Sequence, residues 1–333
     1  MDTQISVIVC HHTGKLIDDF IRSIKDSKSA DFEIIVVTSD KEYSLKTIKG
    51  VRIIYQQFAG PARKRNIGAM FANGEYLAFF DDDVVVTSRC LRHLVKTLET
   101  HRQCGMVYGK LMNMEHRDRF DEAGGFLTKT GFIWSRAGQN IRDVGQFDRD
   151  SEIFAGKSAS CMIRAELFHK IGRFDEDFGI LGEESDLSWR VWLSGHTVMF
   201  SYRSKAYHAF NTKFKPVNVF YTSDRVHYNG CRNYLTMLLK NLPTRLLWIV
   251  PIHATIWALA GVCFCLSGKW RYGKNVFRGL WYVIDQWGWI MAKRKSVQFR
   301  VSEDYNVSDI FLSPGPQYYI QRFLRYVRSG LHG

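Results

Sequence analysis

Hydrophobic and polar positions follow two alternating rhythms along the first hundred residues. Ile5–Cys10 is a short apolar run, and Leu16, Ile17, Phe20, Ile21 and Ile24 then recur at helical spacing. Glu33–Val37 and Val51–Tyr55 read as the next two strands. Pro61–Ala72 reads as a helix with proline in its first turn, closed by Asn73-Gly74. Tyr76–Phe80 is almost wholly apolar, the pattern of a buried parallel strand. Leu91, Leu94, Val95 and Leu98 form a further helical face. This βαβα order predicts an α/β fold with a doubly wound, mostly parallel, Rossmann-like sheet, whose ligands bind beyond the carboxyl ends of the strands. No G-x-G-x-x-G follows any strand, so dinucleotide binding is not indicated.

The rhythm weakens from about residue 110 to 155, where Gly, Asp and Arg are frequent, and loops with short strands are expected there. Ser158–Ile163 is apolar again, Ala165–Ile171 and Glu184–Ser194 read as helices, and Val198–Tyr202 reads as a last strand. From Pro216 onward the pattern is long and helical. Within it, Leu246–Gly268 carries no Asp, Glu, Lys or Arg, and Arg245 and Lys269 bracket it. These shifts predict a catalytic domain over residues 1–212 and a helical region over 213–333.

Charge sharpens that division. Of 46 Lys+Arg and 33 Asp+Glu, residues 211–333 hold 17 and 5, so nearly all of the net +13 lies in the C-terminal third. Interleaved Trp and Tyr turn this basic excess toward a membrane interface and away from nucleic acid. At 46% apolar residues the chain can bury a large core, which excludes a disordered or low-complexity protein. Seven scattered cysteines without a CxxC pair point to a reducing compartment. The N-terminus shows no signal-peptide pattern, so the first domain is expected in the cytoplasm.

Two acidic clusters carry candidate chemistry. In Phe80-Asp81-Asp82-Asp83, strand alternation lets Asp81 and Asp83 share a face while Asp82 points away. Three adjacent carboxylates need a compensating cation, and a divalent ion there would bridge phosphate oxygens. An acidic turn that merely ends a strand is the plain alternative. The second cluster runs from Gly182-Glu183-Glu184-Ser185-Asp186 to Arg190, after Phe174-Asp175-Glu176. It is either ordinary charge at a helix start or a source of a general base.

Together with Ile5–Cys10, Gly60–Gly68 and Gly172–Glu176, these clusters resemble glycosyltransferase family 2 and its GT-A fold over roughly residues 4–240. Gly124-Gly125, Gly145–Asp148 and Arg232-Asn233-Tyr234 are similar to the rhamnosyltransferase-like branch. The resemblance implies an inverting transfer of a sugar from a nucleotide-diphosphate donor to a glycan or lipid-linked hydroxyl, in cell-surface polysaccharide synthesis. It implies a divalent cation, Mn2+ or Mg2+, on Asp83 and Asp81, with His208 as a further ligand, a phosphate contact or a structural histidine. Asp40, Arg65, Asn66, Asp81 and Asp82 are implied at the nucleotide sugar, although Asp40 is offset from the family's base-reading position. Glu184 stands where the family usually has its catalytic Asp, with Glu183 and Asp186 as alternates. Rival readings are a nucleotidyltransferase on a related sheet and a non-catalytic membrane scaffold.

Leu246–Gly268 is long enough to cross a bilayer core of ~30 Å. Its basic flanks on both sides favour helices lying on the cytoplasmic face of the membrane, peripheral or monotopic, over a single span. One or two membrane segments around residues 246–292 are the alternative.

Overall fold

A computed structural model describes residues 4–12, 16–28, 31–57, 60–137, 141–209 and 224–303, together with 305, 311, 312 and 324. The chain divides into two compact units: Met1–Gly125 with Ser135–Phe210, and Phe126–Trp134 with Asn211–Gly333. The second unit therefore takes in a piece from the middle of the chain, which no shift in composition marks.

In the first unit, β1 (Ile5–His11), β2 (Phe32–Thr38), β3 (Val51–Tyr55) and β4 (Tyr76–Asp81) follow the apolar runs closely. They alternate with α1 (Leu16–Lys25), α2 (Lys41–Ser44) and α3 (Pro61–Met70). Then come β5 (Val84–Val86), α4 (Cys90–Thr100), β6 (Cys104–Asn113) and β7 (Phe120–Glu122). The short strands β8 (Gly125–Thr128) and β9 (Ile133–Ser135) fall mostly in the segment that belongs to the second unit, and β10 (Ser151–Glu152) and β11 (Ser160–Arg164) follow in the first. The unit ends with α5 (Ala165–Lys170), α6 (Glu183–Leu193) and β12 (Thr197–His208). The main sheet has ten strands along the order β10-β12-β6-β11-β4-β1-β2-β3, with β5 on β12 and β7 on β6. β1 pairs in parallel with β2 and β4, β2 with β3, and β6 with β12. β11 is antiparallel between β4 and β6, so the strands on either side of it run the same way. Phe20, Ile24, Val36, Phe80, Leu94 and Leu98 join α1, α4 and the sheet in one buried core.

Loops and short strands fill most of residues 114–155 as expected, but the pattern does not predict β6, whose last four residues enter the stretch that begins at about residue 110. This strand is ten residues long and buried almost throughout. Its glycines hide it from a propensity reading, yet packing requires Gly109. A Cβ there would sit 2.7 Å from Ser160 Oγ and 2.9 Å from the Ser204 carbonyl oxygen.

The second unit holds α7 (Asp224–Asn241), α8 (Ile249–Leu266), α9 (Trp270–Asp285) and α10 (Trp287–Gln298). Cys231, Leu235, Leu239, Trp257, Phe264, Val276, Val283 and Ile290 form its core. His253 explains itself within the apolar stretch. Trp257 Nε1 donates to its Nε2 (2.9 Å), so its Nδ1–H is free to donate to the Thr130 carbonyl (2.7 Å). Thr244–Leu266 is long and apolar enough to cross a membrane. Trp248, Ile252, Leu259 and Leu266 are exposed along it, as are Trp270, Trp281, Trp287 and Trp289 on the helices that follow.

Candidate active site

The acidic triplet lies at the carboxyl end of β4, where the parallel strands open toward ligand space. Asp81 is the last residue of β4, whereas Asp82 and Asp83 form the turn into β5. The turn still brings Asp81 and Asp83 together, although strand alternation is not the cause. Ligand atoms of Asp81, Asp83 and His208 lie within 4.8 Å of one another. Asp82 turns aside and accepts the His12 backbone N–H (3.1 Å). Burial, then the neighbouring Asp83 and Asp81, push its pKa up to about 6 against that hydrogen bond.

His208 ends β12, and β5 pairs with it through His208 and Val84. This pairing carries the imidazole to the triplet. Its Nε2 lies 3.1 Å from Asp83 Oδ1 and its Nδ1 lies 2.8 Å from Asp121 Oδ2. Burial disfavours charge on the ring, but the hydrogen bonds to Asp121 and Asp83 prevail and push it up to about 10. Asp121 is buried too, which raises its pKa. Lys157, 2.8 Å away, and His208 outweigh burial and hold it well below the usual carboxylate range. An Asp–His pair whose outer ring nitrogen faces two further carboxylates is a donor set suited to a divalent cation. Asp121 would orient the imidazole from behind, as a carboxylate commonly does for a metal-bound histidine. Sequence reading did not find Asp121 or Lys157, because nothing local marks a residue whose partner is 87 positions away. Replacing Asp121 with Asn is expected to weaken Mn2+ binding by ~10–100-fold, as loss of such an outer partner does. Manganese titration followed by electron paramagnetic resonance measures this.

α3 supplies the second layer of the site. Its buried face is polar: Lys64, Arg65 and Asn66 are all buried, which is why the segment shows no clean apolar stripe. Lys64 is held inside the protein. Its Nζ donates to the His11 carbonyl at 2.6 Å, and burial lowers its pKa. Asn66, expected at the nucleotide sugar, is hydrogen-bonded within the protein. Its amide donates to the Phe174 carbonyl (2.9 Å) and Glu176 Oε1 (3.0 Å), and its Oδ1 accepts the Phe174 N–H (3.0 Å). It fastens the loop before α6. Arg65 is central: Nη2 meets Asp81 Oδ1 at 2.9 Å and Nη1 meets Glu183 Oε1 at 3.1 Å. It ties the triplet to the second acidic cluster. Asp40 caps α2, accepting the Tyr43 N–H at 3.0 Å.

Leu181 (φ 76°) and Gly182 (φ 87°), both left-handed, turn the chain into α6. That conformation is costly for a leucine. The turn sets three carboxylates in the first helical turn, where the helix dipole favours them. Their fates differ. Asp186 is fully buried and paired with Arg190 at 2.9 Å, an arrangement that supports the helix. Glu183 is buried against Arg65. Glu184 is the one α6 residue that is not buried. Desolvation, then the Glu183 charge, push its carboxyl well above the usual glutamate range.

Comparison with known proteins agrees with this geometry. The profile for "Glycosyl transferase family 2" matches residues 6–172, half of the chain. The chain is 26% identical over 199 residues to glycosyltransferase GlyG of Streptococcus pneumoniae serotype 4, covering 53% of this chain and 64% of that one. Its structure is similar to that of GalNAc-T7 with UDP, GalNAc and Mn2+, at TM-score 0.53 and 16% identity over 75% of this chain and 54% of that one. It is also similar to the mannosyltransferase PcManGT of Pyrobaculum calidifontis with GDP-Man and Mn2+, at TM-score 0.51 and 14% identity over 90% and 87%. The chain thus spans less than two thirds of GlyG and of GalNAc-T7. The shared fold is GT-A.

Proposed function

The chain belongs to glycosyl transferase family 2, and on that footing we propose that it is an inverting, metal-dependent enzyme that moves a sugar from a nucleotide-diphosphate donor to a hydroxyl of a glycan or lipid-linked acceptor. The carrying observation is the Asp81–Asp83–His208 cluster, tied through Arg65 to Glu183, the residue beside the half-buried Glu184 at the start of α6. Asp83, Asp81 and His208 would hold the cation, and the imidazole favours Mn2+ over the oxygen-preferring Mg2+. Bound there, it would stabilise charge on the departing nucleoside diphosphate. Glu184 takes the proton of the attacking hydroxyl, and the raised affinity of its carboxyl for a proton strengthens it as a base. Arg65 fixes Asp81 and Glu183 in one frame. Asp82, turned toward His12, and Asp40, capping α2, lie at the same carboxyl edge of the sheet and remain the candidates for contacting the nucleotide.

A panel of nucleotide sugars incubated with Mn2+ and membrane extract tests this reading. Release of a nucleoside diphosphate and a product of inverted anomeric configuration is expected. Release of pyrophosphate from a nucleoside triphosphate would instead establish a nucleotidyltransferase.

The exposed Trp248, Trp270, Trp281, Trp287 and Trp289, with Lys269, Arg271, Lys274 and Arg278 among them, support placing the second unit on an anionic membrane surface. This suits a lipid-linked acceptor on the cytoplasmic face, in cell-surface polysaccharide synthesis. The chain is expected to float with vesicles containing phosphatidylglycerol and to be released from them by high salt. Equal flotation with neutral vesicles would remove the electrostatic part of this reading.

A further inference from the structure

The proposed base has an unusual neighbour. Glu183 is only 4% exposed. Its Oε1 is held by Arg65 at 3.1 Å, while its Oε2 is buried and has no hydrogen-bond partner. The Glu184 carboxyl interacts with the Glu183 side chain next to it in the first turn of α6. A buried carboxylate oxygen without a donor is costly, by about 1–3 kcal/mol or more for a charged group. The missing donor is therefore a functional clue, and Glu184 can provide it in one state only: when it carries a proton.

We propose that Glu183 is the positioning partner of Glu184, its buried Oε2 accepting the hydrogen bond of the proton that Glu184 takes from the acceptor hydroxyl. This rests on Glu184 being the base. As the acceptor O–H bond breaks, its proton passes to Glu184. The hydroxyl oxygen bonds to the anomeric carbon, and the electron pair of the broken carbon–oxygen bond leaves with the nucleoside diphosphate. Glu184 then turns its new O–H to Glu183 Oε2, completing a pair that is incomplete beforehand. Arg65 is the cation that holds the other oxygen of Glu183. The same guanidinium contacts Asp81, so the frame of the base is set by the triplet.

The other ionisable groups around the pair are few. Asp81 comes from β4, beyond Arg65 of α3. Tyr108 comes from β6, its hydroxyl donating to Ser188 Oγ (2.7 Å) or accepting from it, and lying 3.4 Å from the Glu184 carbonyl. Cys161 comes from β11, its thiol pushed up by burial. Burial keeps the Tyr108 hydroxyl and the Cys161 thiol neutral at ordinary pH, and among the described residues Glu183 raises and Arg65 lowers the Glu184 carboxyl, with Asp81 beyond Arg65.

The test is a carbon-13 NMR titration of the full chain labelled at its glutamate carboxyls, with Glu184 assigned by its loss in E184Q. Glu184 is expected to titrate above the ordinary glutamate range, and the Glu183 carbon to respond in the same pH step. In E183Q the Glu184 step is expected to fall by about one pH unit or more. The acid limb of nucleotide-sugar hydrolysis should fall with it. A Glu184 step at the same pH in wild type and E183Q would overturn the proposal. So would a Glu183 carbon silent at that step in wild type, a reading that needs no variant to fold. If the step moves but E184Q hydrolyses donor as fast as wild type, the carboxyl pair stands and the assignment of the base fails.

Discussion

Asp83→Asn is expected to reduce metal-dependent turnover of the donor by about 10³-fold while leaving the fold intact. Asp83 contributes a carboxylate oxygen to the Asp81–Asp83–His208 cluster and lies 3.1 Å from His208 Nε2. The amide keeps the shape of the side chain and removes its charge. Charge stabilisation by a bound cation is worth several kcal/mol in a transition state, and each ~1.4 kcal/mol is tenfold in rate. Asp83 sits in a half-buried turn outside the hydrophobic core, so thermal unfolding should change little. Initial rates with and without added Mn2+ measure the effect. Full activity of Asp83→Asn would remove the triplet from the mechanism.

Glu184→Gln is expected to lower kcat by about 10²–10⁴-fold, the usual contribution of a positioned general base. Affinity for Mn2+ and for the donor should hold, since no metal-ligand atom belongs to Glu184. That split separates it from Asp83→Asn, which should lose both rate and metal affinity. Asp186→Asn would not substitute for this test. Asp186 is buried in an ion pair with Arg190, so its loss leaves an uncompensated charge and acts on stability. In wild type, rates should rise with pH as the Glu184 proton is lost, above the ordinary glutamate range. A flat profile there, or an active Glu184→Gln, would move the base elsewhere.

The sequence made the parallel half of the sheet legible, because β1 to β4 are continuous apolar runs separated by clear helical spacing. It also located both acidic clusters, because carboxylates concentrated at strand and helix ends are conspicuous. What it could not show depends on distance along the chain. β6 was concealed by Gly105, Gly109 and Lys110, although Gly109 is there because Ser160 and Ser204 leave no room for a side chain. Spacing also does not show that Lys64 and Asn66 are buried, with hydrogen bonds to the carbonyls of His11 and Phe174. The choice among Glu183, Glu184 and Asp186 could not be made from spacing alone. The structure adds that Arg65 takes Glu183 and Arg190 takes Asp186, while Glu184 has no arginine pair among the described residues and is the least buried of the three, which supports proposing it as the base.

Titration of the full chain with Mn2+, with and without a nucleoside diphosphate and in wild type beside Asp83→Asn, bears most directly on metal-assisted sugar transfer at Asp81, Asp83 and His208. Electron paramagnetic resonance should report a single Mn2+ site in wild type that UDP or GDP tightens, and Asp83→Asn should lose it. A nucleoside diphosphate that binds equally well after chelation of all metal, or a Mn2+ site that survives Asp83→Asn unchanged, would contradict it.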